Sequence, residues 1–255
     1  MISKSFADGK NCQISSKGLY GKFETDRFAD CHEIPDIDDI TSAKGLDLSH
    51  RHHSFSALQV FLADPRINIQ ALVINEQAFG TILHNFIPAG LEVFESKKAG
   101  WIGVSQKNGF NFAQNLRILN LQDNVIKTLE PKVFASNFQL TEIYLDGNLI
   151  KSLPKDIFNG LSNLKVLSLG RNSISSFDAK FFHGLTALKD LTLNNCPLDG
   201  LSKKQIMDMP NLKNLDVSGC DGLNWPFKLA KTFSRLRGQL KKKHVELIRT
   251  YEEDF

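Results

Sequence analysis

LRILNLQDNVIKTL at 116–129, LTEIYLDGNLIKSL at 140–153 and LKVLSLGRNSISSF at 164–177 start at intervals of 24 residues. The same frame continues as LKDLTLNNCPLDGL at 188–201 and, more loosely, as LKNLDVSGCDGL at 212–223. One column of this alignment holds Asn124, Asn148, Asn172, Cys196 and Cys220, and another holds Phe110, Phe134, Phe158, Phe182 and Ile206. Two columns in register indicate an internal repeat, which is the signature of a solenoid.

Within each repeat the apolar residues of L-x-x-L-x-L alternate with period two, as in a short strand with one buried face. A single strand cannot bury that face, so neighbouring repeats are predicted to stack into a parallel sheet. The Asn column turns inward, where its amide can satisfy backbone groups of adjacent turns, and Cys is small enough to replace it. The Phe column is predicted to stack one ring per turn, which accounts for 19 Phe beside three Tyr, because a buried phenol needs a partner.

This pattern resembles L-x-x-L-x-L-x-x-[N/C]-x-L, the leucine-rich repeat, in the 24-residue variety with a trailing Phe. The resemblance implies a right-handed α/β solenoid, a horseshoe with a parallel concave sheet. The sequence is similar to secreted arthropod members of the family. Degenerate copies precede the regular ones as LEVFESKKAGWIGV at 91–104 and IQALVINEQAFGTI at 69–82. A weaker copy begins at GLDLSH, where Leu46 and Leu48 fill the strand positions.

A solenoid exposes its core at both ends, so each end needs a cap. We assign 1–66 to an N-terminal cap, 67–223 to the leucine-rich repeats and 224–255 to a C-terminal amphipathic helix. Cys12 and Cys31 bracket a predicted hairpin, and in an oxidising compartment we expect them to form a disulfide. Cys196 and Cys220 are expected to stay reduced and buried in the Asn column.

The C-terminal segment has one apolar seam at helical spacing, formed by Leu229, Phe233, Leu236, Leu240, Leu247 and Tyr251. Three roles remain open for this helix. It caps the last repeat, associates with itself as a coiled coil, or binds anionic lipid through its basic face.

Composition limits the classes of partner. The net charge is +3, but 225–255 carry eight Lys/Arg and four Asp/Glu, leaving 23 against 24 elsewhere. A body so balanced lacks the concentrated positive field that nucleic acid binding needs, so we predict no nucleic acid partner. No apolar run approaches the roughly 18 residues of a membrane span. No secretory signal is visible at the start of the chain.

Residues that could carry chemistry are few. The cluster Ser49, His50, Arg51, His52 and His53 places at most two histidines on one face of a strand, too few for a metal site. Asp36, Asp38 and Asp39 lack the glycine and glutamate of a calcium loop. No phosphate loop or dinucleotide fingerprint is present, so we predict no enzymatic activity, cofactor or metal.

The functional surface is instead predicted on the concave face, where the residues between the leucines point. The candidate partner-binding residues are Arg117, Ile118, Asn120, Glu142, Tyr144, Asp146, Lys165, Val166, Ser168, Lys189, Asp190 and Lys213. Tyr144 is predicted to face out of the sheet, exposed, and to be the centre of the binding surface. An aromatic residue surrounded by apolar and charged groups is typical of the centre of an interface.

Two ligand classes fit this surface. A column of basic residues, formed by Arg117, Lys165, Lys189 and Lys213, could meet a polyanionic glycan. Interleaved acids reduce its field, so a protein ligand is favoured. The family resemblance suggests a secreted recognition protein acting in innate immunity or cell adhesion. The alternative is a cytoplasmic leucine-rich repeat scaffold with four reduced thiols.

Overall fold

A computed structural model describes residues 12–15, 28–31, 43–49, 55–76, 87–105, 110–199 and 201–220. The C-terminal helix predicted over 224–255 lies outside these residues, as do His50, His52, His53 and the three aspartates at 36–39. The described residues form a ten-stranded sheet in which strands adjacent in space follow the order of the chain.

The sheet opens with an antiparallel pair and continues as parallel strands. The pair is β1 (Cys12–Ser15) and β2 (Phe28–Cys31), and β2 is parallel to β3 (Gly45–Asp47). The following strands of this sheet are β4 (Ala71–Val73), β5 (Val93–Glu95), β7 (Ile118–Asn120), β9 (Glu142–Tyr144), β10 (Val166–Ser168), β11 (Asp190–Thr192) and β12 (Asn214–Asp216). Stacked coils in this register confirm the predicted parallel-sheet solenoid.

The core lies on one side of the sheet. The middle residue of each strand points inward, and these residues are Leu46, Leu72, Phe94, Leu119, Ile143, Leu167, Leu191 and Leu215. None of them is more than 2% exposed. Leu46 and Leu48 are fully buried, so the weak copy at GLDLSH continues the repeat as predicted.

The Asn column forms a ladder beneath the sheet, as the sequence predicts. Asn148 donates from Nδ2 to Leu121 O at 3.0 Å in the preceding coil and to Leu145 O at 2.9 Å in its own. Its Oδ1 accepts from Ile126 N at 3.1 Å. Cys196 replaces these bonds with one, from Sγ to Leu169 O at 3.4 Å. The ladder satisfies buried backbone groups that would otherwise be costly.

The Phe column forms a continuous row of rings behind the ladder. Phe134 and Phe158 are stacked with centroids 6.2 Å apart and planes 5° apart. Phe158 contacts Phe181 edge-on at 5.5 Å, and Phe181 contacts Phe182 at 5.0 Å. The convex segments that carry these rings are mostly turns with short 3-10 character at Phe110–Phe112, so the predicted α component is small in the described coils.

The described helices are α1 (Phe55–Leu62) and α2 (Lys203–Met207). Ser202 caps α2 through a capping box with Gln205, whose Nε2 also donates to Phe177 O and Asp178 O in the previous coil. This helix replaces the Phe turn where Ile206 stands in the Phe column. Among the described helices, none is long and apolar enough to cross a membrane.

The degenerate coil at 91–104 uses a different core packing. Ser96 takes a position held by leucine in later coils, and the Trp101 indole fills the space, donating from Nε1 to Ser96 Oγ at 2.9 Å. The same coil adds a small second sheet between β6 (Gly103–Val104) and β8 (Thr128–Leu129). Tryptophan therefore compensates for the lost leucine, which explains why this repeat departs from the consensus.

Candidate functional site

The candidate site is the outer face of the parallel sheet, called the concave face below. Side chains alternate along a strand, so the first and third residue of each strand point away from the core. Its outward residues include Ala71, Val73, Val93, Glu95, Ile118, Asn120, Glu142, Tyr144, Val166, Ser168, Asp190, Thr192, Asn214 and Asp216. The concave face differs between its two halves.

The N-terminal half of the concave face is an apolar cluster formed by Ala71, Val73, Val93 and Ile118. These side chains lie side by side on β4, β5 and β7, and none is more than 3% exposed. Ile118 was predicted to be an exposed contact residue, and this prediction is wrong: it is 2% exposed. The alternation of side chains along the strand predicts that Ile118 faces solvent. Its neighbours on adjacent strands are also apolar, however, and their side chains bury it.

Glu95 is the polar centre of this half. Its side chain accepts from Asn75 Nδ2 at 2.7 Å and from Asn120 Nδ2 at 3.2 Å, and lies 3.0 Å from Lys97 Nζ. Burying a carboxylate is unfavourable unless such donors compensate. Asn120 was predicted to contact a partner, but it is buried and bonded within the chain, so that prediction is corrected.

Asp146 anchors a second network, between β9 and β10. Its Oδ1 accepts from Ser168 Oγ at 2.5 Å and from Gly170 N at 3.1 Å, while Oδ2 accepts from Gln122 Nε2 at 3.0 Å. Asp146 and Ser168 are both buried. Their predicted role as exposed contact residues is therefore wrong, because each satisfies the other across adjacent coils.

Tyr144 lies at the boundary between the two halves. Its ring packs against the apolar cluster, and its hydroxyl donates to Glu142 Oε2 at 2.8 Å. Burial, followed by the hydrogen bond to Glu142, raises the pKa of the Tyr144 phenol above its ordinary value. The expectation of an exposed ring without a structural role is wrong, although the side chain is only partly buried and part of it remains accessible for contact.

The C-terminal half of the concave face remains accessible. Val166, Asp190 and Thr192 are half-buried on β10 and β11, and Asn214 is exposed on β12. Lys165, Lys189 and Lys213 precede these strands and are exposed. Arg117 is exposed as predicted, but its Nε lies 3.3 Å from Glu92 Oε2. The structure thus brings Val166, Asp190 and the three lysines together on one open surface, whereas Ser168 on β10 is buried.

The N-terminal half of this face was not predicted from the sequence. Ala71, Val73, Val93 and Glu95 lie on the degenerate strands, where steps of 22 and 25 residues obscure the frame. The sequences of β4 (ALV) and β5 (VFE) could have indicated this burial. They carry apolar residues at all or most positions, as expected of strands buried on both faces.

The cysteines fall into two groups. Cys196 and Cys220 are buried free thiols, as predicted, and burial raises the pKa of the Cys196 thiol. Cys12 and Cys31 are directly opposed in the antiparallel pair β1–β2. That backbone register brings Cα atoms within the range that disulfides span. The bridge itself remains a prediction.

In the part of the chain that the structure describes, no set of three or more His, Cys, Asp or Glu side chains is arranged to hold a metal ion. Every pKa shift described above has a structural cause, either burial or a hydrogen bond within the sheet. The chemistry that this arrangement supports is recognition, through exposed lysines, half-buried apolar groups and a tyrosine.

Comparison with known proteins agrees with the repeat structure described above. The family model described as "Leucine rich repeat" matches residues 102–150 and 138–198. No curated protein matches the chain. Among solved structures, the chain is similar to "Crystal structure of TLR13-ssRNA13 complex", with 24% identity, a TM-score of 0.61 and coverage of 71% of this chain and 26% of that chain. This likeness supports the fold alone.

Two further solved structures share shorter regions. "Crystal Structure of APL1 leucine-rich repeat domain" is 25% identical with a TM-score of 0.49, covering 51% of this chain and 34% of that one. "Crystal structure of LRIM1/APL1C complex" is 25% identical with a TM-score of 0.48, covering 50% and 24%. The chain therefore spans between 24% and 34% of the length of these solved chains.

Stacked coils, an asparagine ladder and a parallel sheet with one open face define a solenoid repeat protein. The leucine-rich repeat family model matches residues 102–198, and the described coils have the leucine-rich repeat fold.

Proposed function

We propose that this protein is a non-enzymatic recognition module that binds a protein ligand on the C-terminal half of its concave face, from Tyr144 to Lys213. The observation that carries the proposal is the contrast between the two halves of the sheet. Val93 and Val166 occupy equivalent strand positions, yet Val93 is fully buried and Val166 is half-buried. The residues available to a ligand are therefore the outward ones on β9 to β12, except the buried Ser168, and the lysines that precede these strands.

The chemistry of this half suits a protein partner. Tyr144 and Val166 supply apolar area, while Lys189, Asp190 and Asn214 supply charge and hydrogen-bonding groups around it. An aromatic centre with a mixed polar rim is typical of protein interfaces. The acids that alternate with the lysines would repel a uniform anionic polymer, which disfavours a glycan.

Nucleic acid is a separate question. The balanced charge of the body argues against it, but the TLR13 structure shows that a leucine-rich repeat solenoid can be in complex with ssRNA. Single-stranded RNA therefore belongs among the ligands tested on the purified protein. RNA binding that falls steeply with salt would contradict our prediction of no nucleic acid partner.

We further propose that the protein acts outside the cell, in innate immunity or adhesion, as the family resemblance suggests. The opposed positions of Cys12 and Cys31 support an oxidising compartment. The alternative is a cytoplasmic scaffold. Native protein from its source should show two free thiols after denaturation without reductant if it is secreted, and four if it is cytoplasmic.

The binding face can be tested with matched variants. Val166→Glu introduces a charge at the centre of the open half, and Ser162→Glu introduces the same charge on the exposed convex side. Immobilised wild type and both variants are incubated with an extract of the source organism, and retained proteins are identified by mass spectrometry. A protein retained by wild type and Ser162→Glu but lost with Val166→Glu supports the proposal. A ligand retained equally by all three places binding elsewhere.

A further inference from the structure

Lys165, Lys189 and Lys213 form a column along one edge of the concave face. Each lysine immediately precedes a strand, on three successive coils. Their backbones are bonded directly to one another, with Lys189 N donating to Lys165 O at 2.8 Å and Lys213 N donating to Lys189 O at 2.7 Å. Adjacent parallel strands lie about 4.8 Å apart, so three ammonium groups start from backbone positions spanning about 9.6 Å.

These three charges have no counter-ion in the described part of the chain. None of the three side chains makes a hydrogen bond or an ion pair there, and all three lysines are exposed. By contrast Arg117, which immediately precedes β7 in the same way, is paired with Glu92 at 3.3 Å. Like charges placed side by side on neighbouring strands are unfavourable for folding. The three lysines therefore do not stabilise the fold through ion pairs, and their charges remain available to a ligand.

The acids nearest in sequence are engaged by other donors. Asp190 accepts from Asn214 Nδ2, and Asp216 accepts from Ser218 Oγ at 2.7 Å. Glu142 accepts from Tyr144 OH. These carboxylates are held along the sheet beside the column, so the surface presents a cationic edge next to an anionic row. A continuous polyanion covering both would be repelled by the row.

We propose that Lys165, Lys189 and Lys213 bind an acidic segment of the protein ligand, laid along the column in extended conformation. The proposal rests on the proposed function of the concave face and specifies the chemistry of its ligand. Same-side residues of an extended chain are about 6.8 Å apart. Two or three carboxylates on alternate residues therefore match a column of this length, and flexible lysine side chains absorb the difference.

The test uses a defined probe. A fluorescent Glu-Ser-Glu-Ser-Glu-Ser-Glu peptide and its twin with Gln in place of Glu are titrated with the full chain at low ionic strength, and anisotropy is measured. The variant removes the column as Lys165→Gln, Lys189→Gln and Lys213→Gln together. The control removes the same charge as Lys127→Gln, Lys151→Gln and Lys155→Gln, at exposed positions outside the concave face. Circular dichroism verifies that both variants are folded.

We expect the acidic peptide to bind wild type more tightly than its twin. The column variant should lose about tenfold in affinity, the combined value of three exposed ion pairs, while the control should lose less than about twofold. The difference should shrink as salt is added. Equal affinity for the two peptides, or equal loss in the two variants, overturns the proposal.

Two further probes identify the competing ligands. A heparin oligosaccharide or oligo-U RNA that binds more tightly than the acidic peptide, and loses affinity in the column variant, would replace the acidic segment with a polyanion. The Val166→Glu experiment separates this proposal from the proposed function. If Val166→Glu abolishes capture of the ligand but the column variant does not weaken the acidic peptide, only the lysine assignment fails. If Val166→Glu changes nothing, the concave-face function fails whatever the peptide does.

Discussion

Arg171 forms an ion pair with Asp123 across an intervening coil, with Nη2 2.9 Å from Oδ1. The residue that they cross is Gly147, which has a φ of 66°. A Cβ at Gly147 would overlap the Asp123 carboxylate and lie 3.1 Å from Arg171 Nη1. Glycine is therefore needed at this position twice, for the backbone conformation and for the space through which the ion pair passes.

The same turn position is left-handed in successive coils. Non-glycine residues with positive φ in this column are Glu76, Lys98, Asp123, Arg171 and Asn195. Glycine occupies it at Gly147 and Gly219, and in both places the side chain of a neighbouring coil lies across the glycine. The turn requires this conformation from Glu76 to Gly219, but glycine is used where a neighbour's side chain needs room.

Gly147→Ala should destabilise the protein by about 2–3 kcal/mol, because it combines left-handed strain with displacement of the ion pair. The control is Gly184→Ala, since Gly184 has a φ of 88° but nothing within 4 Å of an added Cβ. That change should cost about 1 kcal/mol. Urea unfolding measures both. Equal losses would show that the ion pair imposes no steric demand.

Phe158→Ala should destabilise by about 3–5 kcal/mol, because it removes a ring held between Phe134 and Phe181 and leaves a cavity. The loss should spread to neighbouring coils, since repeat stability is shared through interfaces. Ser162→Ala, on the exposed convex side, is the control and should change stability by less than about 0.5 kcal/mol. A similar denaturation midpoint for the two variants would refute the aromatic row as a source of stability.

Asn148→Ala should cost about 2–4 kcal/mol, because it leaves buried Ile126 N without its acceptor and removes one of two ladder bonds to each of Leu121 O and Leu145 O. These two carbonyls keep their bonds from Asn124 and Asn172. Cys196→Ala, in the same column, should cost about 1 kcal/mol, since it removes a single weak S–H bond. Asn148→Cys should fall between the two. Chemical denaturation that ranked Cys196→Ala above Asn148→Ala would contradict the ladder.

Alkaline pH should destabilise wild type more than Tyr144→Phe. The folded-state pKa of Tyr144 is raised above the unfolded value near 10, so its contribution is complete below about pH 10 and is lost as pH rises further. Water screens this partly exposed group, so the difference should stay well below the limit of about 1.4 kcal/mol per pH unit. Urea midpoints at pH 8 and pH 11 measure it. Parallel decline in both proteins would show that Tyr144 does not titrate abnormally.

The regular coils were predictable because each of their signals is local. Period-two alternation places Leu119 and Ile143 inward whatever the neighbours are, and the 24-residue step assigns Asn148 and Phe158 to their columns. The exposure of Lys165 and Lys189 follows from the same alternation. The degenerate coil was harder to predict, because the Trp101 indole and Ser96 compensate for each other only when packed together.

What the sequence by itself determined is the solenoid, its core-facing residues and the open side of its sheet, since these depend on spacing along one chain. What only the tertiary structure decided is which outward residues are available to a ligand. Ile118 and Asp146 occupy outward positions as surely as Val166 does, yet they are buried by side chains that neighbouring coils bring alongside. Burial on the outer face depends on contacts across strands, and residues 24 positions apart must be stacked before those contacts exist.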